Sequence, residues 1–300
     1  MVPDFYLPVA LNEDGQLVWM NFEHITITDP FFSETITRAK IHHHPHRQHI
    51  ITTPLDSLLQ FVPSTPPDAL VLHISRCGST LLSQQWAEIS RIRVISEAPL
   101  FNQLLTDPTI TNSELRIALL QACCHVYRQH APHCIIKCDA WHILHYPVLQ
   151  KAFPITPIIA LFRNPYDVLC SHQRMPGMHM IPGVLSQHEL PIALATNHYQ
   201  QHWEYREEVL MTFFTVLNEI GKNCTMIHYD ENFASAVASI TTQIGITLDE
   251  EELHLMRKRG QQHSKHPQKM FVEENNAIPK SVRNDLQQLY EQLRKQCALG

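Results

Sequence analysis

Six consecutive residues, Ser75-Arg76-Cys77-Gly78-Ser79-Thr80, combine a guanidinium, a glycine and three hydroxyls directly behind the apolar run ending in Leu72-His73-Ile74. Where a strand turns into a helix, the first N–H groups of the helix lack intrahelical partners and stand at the positive end of its dipole, so the turn attracts anions. Gly78 would let the backbone approach closely, and Ser79 and Thr80 would add donors. Arg76 would bring a planar fork suited to phosphate or sulfate oxygens. The turn is not a Walker A loop, because Ser79 rather than lysine follows Gly78. A helix capped by Ser75 or Ser79, beside a solvated Arg76, would use the same residues for structure alone. The segment Arg163-Asn164-Pro165-Tyr166-Asp167-Val168-Leu169-Cys170-Ser171 repeats the arrangement. Asn164 can cap a helix, Pro165 suits its first turn, and Arg163 stands where the preceding strand leaves off. Ser171 comes two helical turns later, on a side it can share with the early helix residues. Here the structural alternative is a salt-bridged Arg163 and a surface Ser171.

Such turns need strands that end together. From residue 69 onward short apolar runs alternate with helical spacing. The pattern predicts strands at Ala69–Ile74, Arg93–Ser96, His133–Lys137, Thr156–Phe162 and Cys224–His228. Helices are predicted at Ser79–Ile89, Ser113–His130, Trp141–Ala152, Tyr166–Gln173, Glu189–Ile220 (with Pro191 a point of breakage) and Phe233–Gly245. The fold class expected is α/β: a three-layer sandwich with a mainly parallel central sheet, whose ligands bind at the carboxyl ends of the strands. Residues 1–68 read as a short N-terminal subregion with strand-like pieces at Leu17–Met20 and His24–Thr28, joined through Pro63–Pro67 to a domain over 69–300. Phe31 and Phe32 read as core anchors. His42-His43-His44-Pro45-His46 reads as a connection rather than a metal site, because adjacent histidines on an extended segment point apart.

The two segments together resemble the sulfotransferases that use 3′-phosphoadenosine 5′-phosphosulfate, over about residues 69–235. The resemblance implies a P-loop-like fold in which Ser75, Arg76, Cys77, Gly78, Ser79 and Thr80 hold the 5′-phosphosulfate, while Arg163 and Ser171, eight residues apart, hold the 3′-phosphate. Two further elements resemble the family more weakly. Tyr229, in Tyr229-Asp230-Glu231-Asn232, would lie near the adenine. Arg257-Lys258-Arg259-Gly260 would close on the 3′-phosphate, unless these cations only mark a basic helix end. Ser96-Glu97-Ala98-Pro99-Leu100 resembles the segment that carries a glutamate base, which makes Glu97 the first candidate. Lys137-Cys138-Asp139 matches a Lys-x-His element with Asp139 in place of the histidine. His142 and Asp139 are therefore the other candidates, and Lys137 would stabilise charge on the leaving oxygen. No metal is expected.

The acceptor is expected to be a small molecule. Met175–Gly183 is a Gly/Pro-punctuated loop suited to a lid, with Asn197, Tyr199 and Trp203 facing the same pocket. A formal net charge of −6 over 300 residues argues against nucleic-acid binding. No run approaches the ~18 apolar residues of a membrane span. Eight cysteines in apolar settings read as reduced thiols, and a cytoplasmic protein is expected. Two other functions fit the same residues: a magnesium-dependent P-loop phosphotransferase using Asp139, and a nucleotide-binding protein that has lost its chemistry.

Overall fold

The structure is a computed structural model, which describes residues 2–43, 49–61, 65–192, 202–230, 233–262 and 281–299. Two sheets share one hydrophobic core. The larger has five parallel strands: β4 (Ala69–His73), β5 (Ile92–Ser96), β6 (His133–Lys137), β7 (Ile158–Phe162) and β8 (Thr225–His228), in the order β5-β6-β4-β7-β8. All residues of β4 and β7 are buried, as befits strands covered on both faces by helices. The chain leaves β4 to one side and later crosses to the other, so the order reverses at β4. Parallel α/β sheets open a ligand crevice at such a point, and Ser75–Thr80 leave from it.

Register brings the candidate site residues to one edge. Ser96 pairs with Lys137, Val71 with Lys137, His73 with Leu161, and Phe162 with His228. The next residue or two on each strand are therefore Glu97, Asp139, Ser75, Arg163 and Tyr229. The helices that follow are α2 (Ser79–Ala87), α3 (Pro99–Thr106) and α4 (Ser113–Arg128), then α5 (Tyr146–Ala152), α6 (Pro165–Arg174), α7 (His202–Ile220), α8 (Phe233–Gln243), α9 (Glu250–Gly260) and α10 (Asn284–Leu299). Asn112 caps α4 by accepting from the N–H groups of Glu114 and Leu115, at 2.9 and 3.1 Å. No helix among the described residues is long and apolar enough to cross a membrane.

The second sheet is antiparallel: β1 (Tyr6–Leu11), β2 (Leu17–Asn21) and β3 (Ile50–Thr53), with α1 (Phe32–His43) between the last two. It packs against the rest of the molecule through the shared core, with a few directed polar contacts. Gln103 accepts from the Leu11 N–H at 2.7 Å and donates back to its carbonyl at 3.2 Å. The Tyr127 hydroxyl donates to the Pro8 carbonyl at 2.9 Å.

Three expectations are corrected. His24–Thr28 is not a strand: His24 takes a positive φ of 62° in a turn, and the segment runs irregularly toward α1. Trp141–Ala152 is not one helix. A 3-10 turn over Ala140–His145 precedes α5, because Pro147 lacks the N–H that would continue an α-helix and suits the first turn of a new one. Glu189 ends a turn rather than starting a helix, and Pro191 and Ile192 are irregular, in line with the break the sequence places at Pro191. Within the described residues α7 begins at His202. Phe32 is a core anchor as expected, but Phe31 is only partly buried. Asn197, Tyr199, His44, Pro45, His46, Pro63, Glu231 and Asn232 lie outside the described residues.

Candidate active site

The turn after β4 is held in a conformation that side chains disfavour. Ser75, Arg76 and Gly78 all have positive φ, at 68°, 51° and 83°. Cys77 is fully buried beneath it, with its thiol directed at the Leu161 carbonyl at 3.5 Å. Burial pushes this thiol up to about 12, so Cys77 contributes shape rather than a nucleophile. Gly78 is required twice over. Its φ suits glycine, and a Cβ there would lie 2.7 Å from Tyr229 Cε2 and 3.1 Å from Phe233 Cε1. Ser79 opens α2 and is buried. The first N–H groups of that helix, from Ser79 and Thr80 onward, have no helical acceptor.

Tyr229 joins the second segment to the first. It follows β8, with its N–H on the Phe162 carbonyl at 2.8 Å, and its ring packs on Gly78. The Arg163 guanidinium lies over the same ring, 4.8 Å from the centroid, and is steadied by Asp167 at 3.3 Å. Asn164 caps α6 by accepting from the Tyr166 N–H at 2.9 Å, as its sequence position predicts. Ser171 is partly exposed on α6, and its carbonyl closes the helix by accepting from Met175 N–H at 3.1 Å.

The charged centre lies on the other side of the turn. Lys137 has no exposed side-chain surface, and its ammonium donates to Glu97 Oε1. The partly buried Phe31 ring lies 5.2 Å from that ammonium. His73 Nε2 is 3.6 Å from the same carboxylate oxygen. Glu97 itself has a positive φ of 52° and donates its N–H to the Lys137 carbonyl at 2.8 Å. Burial alone would raise the Glu97 carboxyl. The Lys137 charge and the contact with His73 outweigh it and hold the group below the usual carboxylate range.

Asp139 and His142 are occupied differently. Burial and the neighbouring Glu97 charge push Asp139 well above its ordinary value. His142 is buried. Its Nδ1 accepts from the Asp139 N–H at 3.2 Å, so its Nε2 carries the proton and donates to Asn102 Oδ1 at 2.9 Å. No basic nitrogen is left for an acceptor, and His142 serves as half of a capping box. Among the described residues no group of three or more His, Cys, Asp or Glu is arranged to hold a metal ion.

Arg76 Nη2 donates to the Met175 carbonyl at 2.6 Å, which ties Met175–Gly183 to the Ser75–Thr80 turn. Met175 and Met178 are exposed, whereas His179 and Met180 are buried against α7. There Tyr205 donates to the His179 carbonyl and Arg206 to that of Met180, both at 3.3 Å. Trp203 is buried. Arg257, Lys258, Arg259 and Gly260 form the last turn of α9. Arg257 and Lys258 are exposed, but Arg259 is 2% exposed and is committed to the contact with α2, donating to Gln84 Oε1 at 3.1 Å with Glu88 at 3.7 Å. Sequence reasoning missed His73, Asn102 and Phe31. For His73 a signal was present: it is the one polar residue of an otherwise apolar strand.

No family model and no curated protein matches the sequence. Solved structures do. The fold is similar to the sulfotransferase domain of the olefin synthase of Synechococcus PCC 7002, with a TM-score of 0.50 and 15% identity over 78% of this chain and 96% of that one. It is also similar to a sulfotransferase of Mycobacterium avium, with a TM-score of 0.50 and 14% identity over 91% of this chain and 83% of that one.

Proposed function

We propose that this chain, which has the sulfotransferase fold, moves the sulfuryl group of 3′-phosphoadenosine 5′-phosphosulfate to a hydroxyl or amine of a small acceptor. The observation that carries this reading is the Tyr229 ring, packed on Gly78 with Arg163 over it. Two segments 80-odd residues apart in sequence thereby form one anion-binding edge, with the Glu97–Lys137 pair beside it. A donor carrying anionic groups at both the 3′ and 5′ positions of its ribose suits two cationic turns. The N–H groups at the start of α2, which lack a helical acceptor, hold the 5′-phosphosulfate with Arg76, Ser79 and Thr80. Arg163 and Ser171 hold the 3′-phosphate, and Tyr229 borders the adenine side.

Glu97 is the base. The acceptor heteroatom attacks sulfur in line with the bond to the 5′-phosphate; that bond breaks, and the acceptor's proton passes to Glu97. Lys137 balances the negative charge left on the phosphate oxygen. While Lys137 remains paired with Glu97, the carboxylate is ionised but weakly basic. A phosphate oxygen that draws the ammonium toward itself restores that basicity. His142 has no nitrogen to contribute, and the Asp139 carboxyl is engaged in capping the 3-10 turn. Arg257, Lys258 and Gly260 sit at a helix end from which they could reach solvent anions, whereas Arg259 is assigned to packing.

Calorimetric titration with 3′-phosphoadenosine 5′-phosphate, beside 5′-AMP and ATP with and without Mg²⁺, tests the reading. Selective, metal-independent binding of the bisphosphate that is lost in Arg163→Ala is expected. Preference for ATP with Mg²⁺ would replace the proposal with phosphotransfer.

A further inference from the structure

His73 sits at the end of β4, where three functional segments meet. Its Nδ1 accepts the Ser75 N–H at 3.0 Å. A ring nitrogen that accepts carries no proton, so the proton is on Nε2. That nitrogen donates to the Cys138 carbonyl at 3.0 Å and faces Glu97 Oε1 at 3.6 Å. The side chain is 4% exposed, and burial lowers its basicity, which keeps the ring neutral and the tautomer single. One imidazole therefore touches the start of the anion turn, the exit of β6 and the carboxylate after β5. The turn needs such a brace, since Ser75 and Arg76 both hold positive φ without being glycine. Glu97 needs one too, since its backbone is also left-handed.

We propose that His73 is a positioning residue with two separable tasks: Nδ1 holds the donor-binding turn, and the Nε2 edge, fixed by its bond to the Cys138 carbonyl, presents its N–H dipole to Glu97. This rests on the sulfuryl-transfer reading above. It makes the distance between donor site and base a property of one rigid ring rather than of two independent loops, and rigid placement of reacting groups is a large part of catalysis. The other titratable or charged groups around Glu97 are Lys137, Asp139 and Cys138 from the β6 side, Arg76 from the turn, His142 from the 3-10 turn and His179 from the Met175–Gly183 loop.

The two nitrogens can be removed one at a time. In His73→Asn, Oδ1 can take the place of Nδ1 and still accept from Ser75, while the group facing Glu97 is lost. In His73→Gln, the terminal amide can take the place of the Nε2–H, while the acceptor for Ser75 is lost. The readouts are calorimetric affinity for 3′-phosphoadenosine 5′-phosphate and the pH profile of its release from the phosphosulfate at saturation. In that release water is the sulfuryl acceptor: its oxygen attacks sulfur, the sulfur–oxygen bond to the 5′-phosphate breaks, and Glu97 takes the proton. His73→Gln is expected to weaken binding by roughly tenfold, with the acid limb of release unmoved. His73→Asn is expected to bind within about twofold of wild type. It should release product about tenfold more slowly, with the acid limb shifted to higher pH because Glu97 has lost the N–H dipole that faces it. Equal losses of affinity and rate in both variants, with an unmoved acid limb, would reduce His73 to a packing residue and overturn the proposal. If the wild type binds but releases nothing, or one variant does not fold, the affinity of each folded variant against wild type decides. A wild type that does not bind the bisphosphate overturns the sulfuryl-transfer reading itself.

Discussion

Lys137 has no exposed side-chain surface, so its ammonium must be balanced where it lies, and Glu97 does this. Replacing Glu97 with Gln leaves the shape nearly unchanged but strands the charge. The variant is expected to bind 3′-phosphoadenosine 5′-phosphate as the wild type does and to lose about a hundredfold or more in turnover. Unaltered turnover would remove Glu97 from the mechanism. The same pair predicts a pH dependence of stability. The folded carboxyl is held below its ordinary value of 4.5, so its contribution is fully present above that pH and is lost as pH falls toward the folded value. The stability advantage of wild type over Glu97→Gln, measured by urea unfolding, should therefore be largest at neutral pH and shrink progressively below about pH 4.5. An advantage that does not change with pH would mean that Lys137 does not hold the carboxylate.

Elements act by presenting these residues from fixed strand ends. Gly78 lies between the turn and α2 and under Tyr229, so Gly78→Ala both strains a positive φ, at about 1 kcal/mol, and displaces the ring that supports Arg163. Nucleotide affinity is expected to fall by at least tenfold while thermal stability changes little. Intact affinity would show that Tyr229 can move without carrying Arg163 with it. The contact between α2 and α9 gives the opposite pattern. Arg259→Met is expected to lower the unfolding midpoint, because Gln84 and Glu88 lose their buried partner, while affinity falls far less than in Arg163→Ala. A larger affinity loss in Arg259→Met than in Arg163→Ala would return Arg259 to the binding site. The strands that present the site were legible as short apolar runs bounded by polar residues; His133–Lys137 was predicted with its observed ends. The broken helix before Ala152 was also written in the sequence, at Pro147, but helical spacing on both sides of a proline hides the break.

At the scale of the whole molecule, the N-terminal antiparallel sheet is attached to the parallel domain through a continuous core and a few directed bonds from Gln103 and Tyr127. Gln103→Ala removes both bonds to Leu11 and leaves a partly buried N–H and carbonyl unpaired, at about 1–3 kcal/mol. Faster amide exchange confined to β1, β2 and β3 is expected; exchange spread evenly over both sheets would mean the two unfold as one unit. Residues 28–31 show why that attachment bears on the site: the Thr28 carbonyl accepts from Gln84 on α2, and Phe31 lies against Lys137. The sequence alone determined the α/β architecture, the strand exits that carry Arg76, Glu97, Lys137 and Arg163, and the helix start after Gly78. All of these depend on residue type and local periodicity, which act over a few positions. Only the tertiary structure decided that Lys137 is paired with Glu97, that both nitrogens of His142 are engaged, that Arg259 is buried against α2 and that His73 bridges three strand ends. Those outcomes depend on strand order and register, which bring residues 24 to 175 positions apart into contact, and no local pattern records which of many charged and imidazole side chains will meet.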